Sequence, residues 1–265
     1  MADHSEIEWT DATWNIVTGC DVVSPGCANC YAMRLAGSRL KHVPSRRGLT
    51  TPSKAGPVWN GTVRFNEEWL DQPLRWSRPR RIFVCAHGDL FHHGVATDVL
   101  DKVFAIMMLA HRHIFQVLTK RSQRMREYLS NPDTPRRVAL AAISLGQTLA
   151  RSLSQTLARS LVNDAKLVSL RTFPAKNIWI GVSVEDQKRV EERIPDLAAT
   201  PGYIRFVSVE PLLGPVVIDL SGIDWLILGG ESGPGARPMR PEWAQSLRDQ
   251  CLAVGTAFFL TSSSG

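Results

Sequence analysis

Ile178-Trp179-Ile180-Gly181-Val182, then a helical face of Val190, Ile194 and Leu197, then Ile204-Arg205-Phe206-Val207-Ser208-Val209 set the reading of the whole chain. Two apolar runs rich in β-branched and aromatic residues flank a segment of helical period, which reads as strand, helix, strand. Near-continuous apolar strands are covered on both faces. Helices that alternate with them lay such strands side by side in a parallel sheet.

The same alternation extends in both directions. Trp14 to Thr18 opens the series, followed by Ile82-Phe83-Val84-Cys85 and Ile114-Phe115-Gln116-Val117-Leu118; Trp225-Leu226-Ile227-Leu228 and Ala257-Phe258-Phe259-Leu260 close it. Val99, Val103, Ile106, Met107 and Ala110 mark a second helical face, and Trp243, Leu247 and Cys251 a third. Six to seven such units predict an α/β fold, a complete or partial (β/α) barrel of parallel strands, with an open doubly wound sheet as the alternative. One domain is expected over residues 1–260. Residues 41–80, rich in Pro, Gly and Trp, interrupt the alternation as an excursion. The eight residues Ser144–Arg151 recur almost unchanged as Ser152–Arg159, a tandem duplication too short for a solenoid and read as an insert over 144–159. Residues 261–265 have the composition of a flexible tail.

A chain of 265 residues with 44% hydrophobic content can bury one large core. It has no run of eighteen apolar residues and no apolar leader, so a cytoplasmic protein with reduced cysteines is expected. The net charge of +6 is uneven: residues 34–137 carry 19 Lys and Arg against 8 Asp and Glu. Such asymmetry suits a polyanion, with Arg121, Arg124 and Arg126 as candidate nucleic-acid contacts; a solvated basic face is the other reading.

Three of the five cysteines fall in one run, Cys20-Asp21-Val22-Val23-Ser24-Pro25-Gly26-Cys27-Ala28-Asn29-Cys30. Three thiolates can hold three irons of a [4Fe–4S] cube and leave the fourth open. A zinc site would need a distant fourth ligand, since no second Cys-x-x-Cys exists. A disulfide would leave one cysteine unpaired.

In a β/α barrel the chemistry gathers at the C-terminal ends of the strands. Those ends nominate Asp89, Lys120, Ser183, Glu185, Glu210 and the glycine loop Gly229-Gly230-Glu231. Cys85 and Cys251 read as core thiols. His87, Asp89, His92 and His93 read either as a metal site or as a loop with one polar anchor. Glu210 precedes Pro211, which marks a sharp exit from its strand.

Ala12-Thr13-Trp14-Asn15-Ile16-Val17-Thr18-Gly19-Cys20, running on to Cys27-Ala28-Asn29-Cys30-Tyr31-Ala32, resembles the phage and bacterial three-cysteine-motif family of unknown function. The resemblance continues through Ile7-Glu8-Trp9-Thr10, Asp89-Leu90-Phe91-His92, Val117-Leu118-Thr119-Lys120-Arg121, Gly181-Val182-Ser183-Val184-Glu185, Glu210-Pro211-Leu212-Leu213-Gly214 and Gly229 to Arg237. It covers nearly the whole chain. More distantly, the cysteine loop followed by Tyr31-Ala32 is similar to spore photoproduct lyase-type radical S-adenosylmethionine proteins, which share a partial β/α barrel. Two departures stand out. The first cysteine gap holds six residues where that group has three, and Thr261-Ser262-Ser263-Ser264-Gly265 stands where the family has a Lys-Gln-Trp-Gly-like ending.

The resemblance implies a [4Fe–4S] cluster on Cys20, Cys27 and Cys30. It also implies S-adenosylmethionine held among Tyr31, Asp89, Lys120, Ser183, Glu185, Glu210, Gly229, Gly230 and Glu231, with a nucleic-acid-related substrate. The existence of a three-cysteine-motif partner protein implies a companion factor. The competing expectation is a non-catalytic, metal-stapled nucleic-acid-binding or regulatory phage protein.

Overall fold

A computed structural model describes residues 5–150, 162–165, 168 and 172–262. Along the chain come β1 (Ala12–Trp14), β2 (Val17–Thr18), α1 (Tyr31–Gly37), β3 (Thr50–Ser53), β4 (Gly56–Trp59), β5 (Arg64–Phe65) and α2 (Gln72–Arg75). The alternation proper follows: β6 (Arg81–Val84), α3 (Thr97–Leu109), β7 (Ile114–Thr119), α4 (Ser122–Ser130), α5 (Thr134–Ala150), β8 (Ile178–Ser183) and α6 (Gln187–Ala199). β9 (Arg205–Val209), β10 (Trp225–Leu228), α7 (Pro241–Val254) and β11 (Ala257–Leu260) complete it.

Seven strands form one parallel sheet in the order β1-β6-β7-β8-β9-β10-β11, and it curls into a half-barrel. The expected partial barrel is therefore the fold. β1 and β11 are its two free edges. Side chains alternate across it with the period of two that a pleated strand imposes. Ile82, Val84, Val117, Ile180, Val182, Val207, Leu226 and Leu228 face the helices. Phe83, Phe206 and Ile227 face the concave side, where Trp9 packs among them. The Trp9 ring lies 4.8 Å from Phe83 and 6.2 Å from Trp225, and its carbonyl accepts from buried Gln116 at 3.1 Å. A tryptophan outside the sheet thus fills the bottom of the half-barrel.

α3 is buried on almost every side, because α5 packs over it as a second helical layer. The first strand differs from expectation. Trp14 to Thr18 reads as one run, but only Ala12–Trp14 joins the sheet, and Val17–Thr18 turns away to pair antiparallel with β5. The 41–80 excursion contains the β3–β4 hairpin, β5 and α2. The first copy of the duplicated octet begins inside α5; the second, residues 152–159, lies outside the described residues. Thr261 does not leave the fold as tail: it is buried, and its N–H donates to Leu228 O at 2.8 Å. Residues 263–265 lie outside the described residues. Among the described residues no helix is long and apolar enough to cross a membrane.

Candidate functional site

A cavity of about 700 Å³ opens on the concave side at the C-terminal ends of the strands. Its floor is the aromatic layer of Trp9 and Phe83, and its wall is the cysteine loop with Cys20, Cys27, Cys30 and Tyr31. The loop has little secondary structure of its own, a single 3₁₀ turn at Pro25–Cys27. Charged side chains from distant strand ends hold it at three points.

The first point is at Cys20. Arg121, just past β7, donates to Cys20 Sγ at 3.6 Å, to Asp89 at 2.7 Å and to Asp21. Asp89 is buried and also accepts from Thr119 Oγ1 at 2.7 Å, Phe91 N at 2.9 Å and Lys120 N at 3.1 Å. Burial pushes its carboxyl upward, and these donors pull against that. Asp89 is the polar anchor of its loop.

The second point is at Cys27. Buried Glu185 pairs with Lys120 at 3.2 Å and Arg193 at 3.1 Å, and accepts from Gly26 N at 3.2 Å. Burial would raise Glu185, but Lys120, Ser24 and Arg193 leave it lowered. A Cβ at position 26 would stand 2.8 Å from Lys120 Nζ and 3.1 Å from Glu185 Cδ, so a side chain there would push on the Lys120–Glu185 pair.

The third point is at Cys30. Glu231, in the loop after β10, accepts from Asn29 Nδ2 at 2.7 Å and from the Arg237 backbone and guanidinium. Arg237 in turn donates to Pro25 O at 2.9 Å. Burial works against the ionised form, yet the Arg237 and Asn29 hydrogen bonds bring Glu231 down to about 2. The stabilisation this network supplies is full above the ordinary value of 4.5 and is lost as pH falls through about 2. Glu231→Gln is therefore expected to melt on the order of 3 °C lower at neutral pH, with the gap closing in strong acid. Thermal melts of metal-free protein across that range check it.

Four residues expected to hold a cofactor, Asp89, Lys120, Glu185 and Glu231, are thus committed to bracing the cysteine loop. Asp89, Lys120 and Glu231 still line the cavity, together with Tyr31, Ser183, Glu210 and Gly230. Tyr31 donates its hydroxyl to Ala86 O at 2.7 Å and stands edge-on to His87. Glu210 leaves the end of β9 as a sharp exit and accepts from Ser208 Oγ at 3.0 Å. Burial raises it, against hydrogen bonds from Ser208, Trp9 and Thr261. Gly229 is packed between them: a Cβ there would meet Thr261 Oγ1 at 2.5 Å and Glu210 Oε1 at 2.7 Å.

All five cysteines are free. Each loop thiol has polar company: Arg121 at Cys20, the Ser24 hydroxyl 3.7 Å from Cys27 Sγ, and the backbone of Ala32 and Met33 with the Trp59 ring nitrogen at Cys30. Burial, with Asp89 behind it, pushes the Cys20 thiol up to about 12. Such a thiol keeps its proton until a metal replaces it. Among the described residues the three loop sulfurs do not form a set closed within 4.8 Å. A single zinc would draw them to about 3.8 Å apart at Zn–S bonds of about 2.3 Å. Separate irons of a cube need a wider set.

Asp21, His92 and His93 do gather within 4.8 Å. Gly94 N donates to His92 Nδ1 at 3.0 Å, which leaves Nε2 as the protonated nitrogen of the neutral ring. That nitrogen faces Asp21 Oδ1 at 3.1 Å, the same oxygen that Arg121 engages. The guanidinium already on that carboxylate oxygen opposes a cation there.

The expected nucleic-acid contacts need correction. Arg121 is 12% exposed and committed to Asp21 and Asp89. Arg124 turns inward onto the carbonyls of Phe91, His92 and Val95. Only Arg126 is substantially exposed, and it pairs with Asp196 at 3.1 Å. Counting charge along the chain does not distinguish a guanidinium on the surface from one that satisfies buried acceptors. Arg237, Asn29 and Trp9 were the residues sequence reasoning missed, although each stands inside a motif quoted for the resemblance.

No curated protein and no solved structure matches this chain. The family described as Protein of unknown function (DUF5131) matches residues 4–264. That span takes in the cysteine loop, all seven strands of the half-barrel and every residue that braces the loop, so the chain belongs to the DUF5131 family.

Proposed function

We propose that the protein is an iron–sulfur, radical S-adenosylmethionine-like enzyme acting on a nucleic-acid-related substrate. The observation that carries this reading is the three-cysteine loop forming one wall of a 700 Å³ cavity at the strand ends of a parallel half-barrel. Three free thiols, each supplied with a hydrogen-bonding group and not gathered within 4.8 Å as one zinc would hold them, support a cube over a single zinc. Hydrogen bonds to the sulfurs tune such clusters. When bound, a reduced cube supplies one electron for cleaving the sulfonium of S-adenosylmethionine.

The chain's own residues do the remaining work. Cys20, Cys27 and Cys30 would bind the metal. Asp89, Lys120, Glu185 and Glu231 orient the loop, and Tyr31, Ser183 and Glu210 offer polar groups to a ligand over an apolar floor that excludes water. A base inside a duplex would have to be flipped out, or the substrate be single-stranded.

Anaerobic reconstitution followed by strong reduction tests the proposal. The expected result is brown protein with about four irons per chain that releases 5′-deoxyadenosine and methionine from S-adenosylmethionine. Iron without cleavage would reduce the site to a structural or electron-transfer cluster. A colourless zinc protein would favour the non-catalytic module.

A further inference from the structure

Between residues 34 and 66 the chain carries seven Lys and Arg and no Asp or Glu. Three of the seven turn to internal acceptors: Arg34 to Asn29, Arg46 to Ser45 and His87, and Arg64 to the carbonyls of Pro44 and Arg47. The other four, Arg39, Lys41, Arg47 and Lys54, are exposed, and of these Arg47 also donates to the His42 carbonyl at 3.3 Å. No carboxylate lies within this stretch to pair with them. Exposed Arg75, Arg81 and Arg248 and half-buried Lys102, by contrast, have carboxylates nearby: Asp71 at 2.5 Å, Asp11 at 3.1 Å, Asp249 at 2.7 Å and Asp98 at 3.7 Å.

The segment adjoins the cavity. The β3–β4 hairpin, with Lys54 in its turn, packs on α1, and Trp59 of β4 lines the cavity. Gly61 N donates to Cys20 O at 3.1 Å, which joins the segment to the cysteine loop.

We propose that this acid-free segment is a nucleic-acid-backbone docking surface at the mouth of the cavity, with Arg39, Lys41, Arg47 and Lys54 as phosphate contacts. The inference deepens the functional reading above by placing its polyanion, and it replaces Arg121 and Arg124 in that role. Among the exposed polar side chains beside these cations, Thr51 offers a hydroxyl of the kind that commonly donates to phosphate oxygens, while Ser38, Ser53 and Asn60 donate to the carbonyls of Arg34, Gly56 and Gly48 at 2.6, 2.7 and 2.9 Å. Val43 is the one large apolar side chain exposed among residues 38–60, too little to anchor in a membrane.

The test compares wild-type full-length protein with the variant R39Q/K41Q/R47Q/K54Q and with a control, K102Q/K188Q/R240Q/R248Q, of equal charge change. Binding to a fluorescent single-stranded oligonucleotide is measured by anisotropy across salt concentrations. Four lost phosphate contacts should lower the slope of log K against log salt by about 3 and weaken binding on the order of 1,000-fold at 0.1 M salt. The control should bind as wild type. Matched melting temperatures and iron contents keep misfolding and cluster loss apart from loss of docking, so this inference and the cluster reading can fail separately. Wild-type affinity in the first variant, or equal losses in both, would overturn the surface. So would a wild-type protein that binds polyglutamate or phosphatidylserine vesicles but no oligonucleotide.

Discussion

Replacing any one of Cys20, Cys27 or Cys30 by alanine is expected to take bound iron from about four per chain to near zero, while Cys85→Ala and Cys251→Ala retain it. A cube held by only three thiolates has no protein ligand to spare. The two remaining cysteines are poor substitutes for different reasons. Cys251 is fully buried on the sheet-facing side of its helix, beside Leu247. Cys85 follows β6 in the left-handed region at φ 63° and is 2% exposed, and burial pushes its thiol well above the ordinary range. It does line the cavity, so its variant is the informative control. Iron analysis and the visible spectrum of anaerobically purified variants decide the matter. Full iron in all three loop variants would sink the site, and loss of iron in Cys85→Ala would add a fourth ligand.

Asp89→Ala is expected to destabilise the protein by about 3–5 kcal/mol, the usual consequence of leaving a buried charge without its partner. One carboxylate satisfies a hydroxyl, two backbone N–H groups and the Arg121 guanidinium. Removing it strands the hydroxyl and both N–H groups and leaves Arg121 with Asp21 as its one remaining carboxylate beneath the cysteine loop. For a chain of this size the melting temperature should fall by roughly 10 °C. Asp89→Asn keeps one acceptor oxygen but turns an amide NH₂ toward donors, so it should recover only part of the loss. Urea unfolding of the three proteins checks the order: wild type, Asn, Ala. An Ala variant as stable as wild type would remove Asp89 from the role of anchor.

The alternating runs made the half-barrel legible because each strand carries its own local record of burial on two faces. Ile180 and Val207 meet helices, while Phe206 and Ile227 meet the concave core, and all are apolar. The first strand was misjudged because Val17–Thr18 is as apolar and branched as a sheet strand. Its partner, Arg64–Phe65, is visible only in three dimensions. The cysteines announced themselves by spacing. The charges around them did not: Asp89, Lys120, Glu185 and Glu231 could be nominated from strand ends, but which of them face a ligand depends on partners far along the chain. Nothing in the order of residues says that Arg237 will reach Pro25, or that Arg124 will fold inward.

The separations across those braces have a kinetic meaning. The loop contacts span about 100 residues at Asp21–Arg121, 159 at Gly26–Glu185 and 202 at Asn29–Glu231. Each closes a long loop of chain, and the entropy of doing so is compensated only when the intervening strands have docked. During synthesis the thiols emerge early, yet their mutual spacing is set last, after β10 has joined the sheet. Metal loading should therefore follow completion of the fold. A nascent chain halted before Glu231 would present three cysteines with no fixed geometry between them.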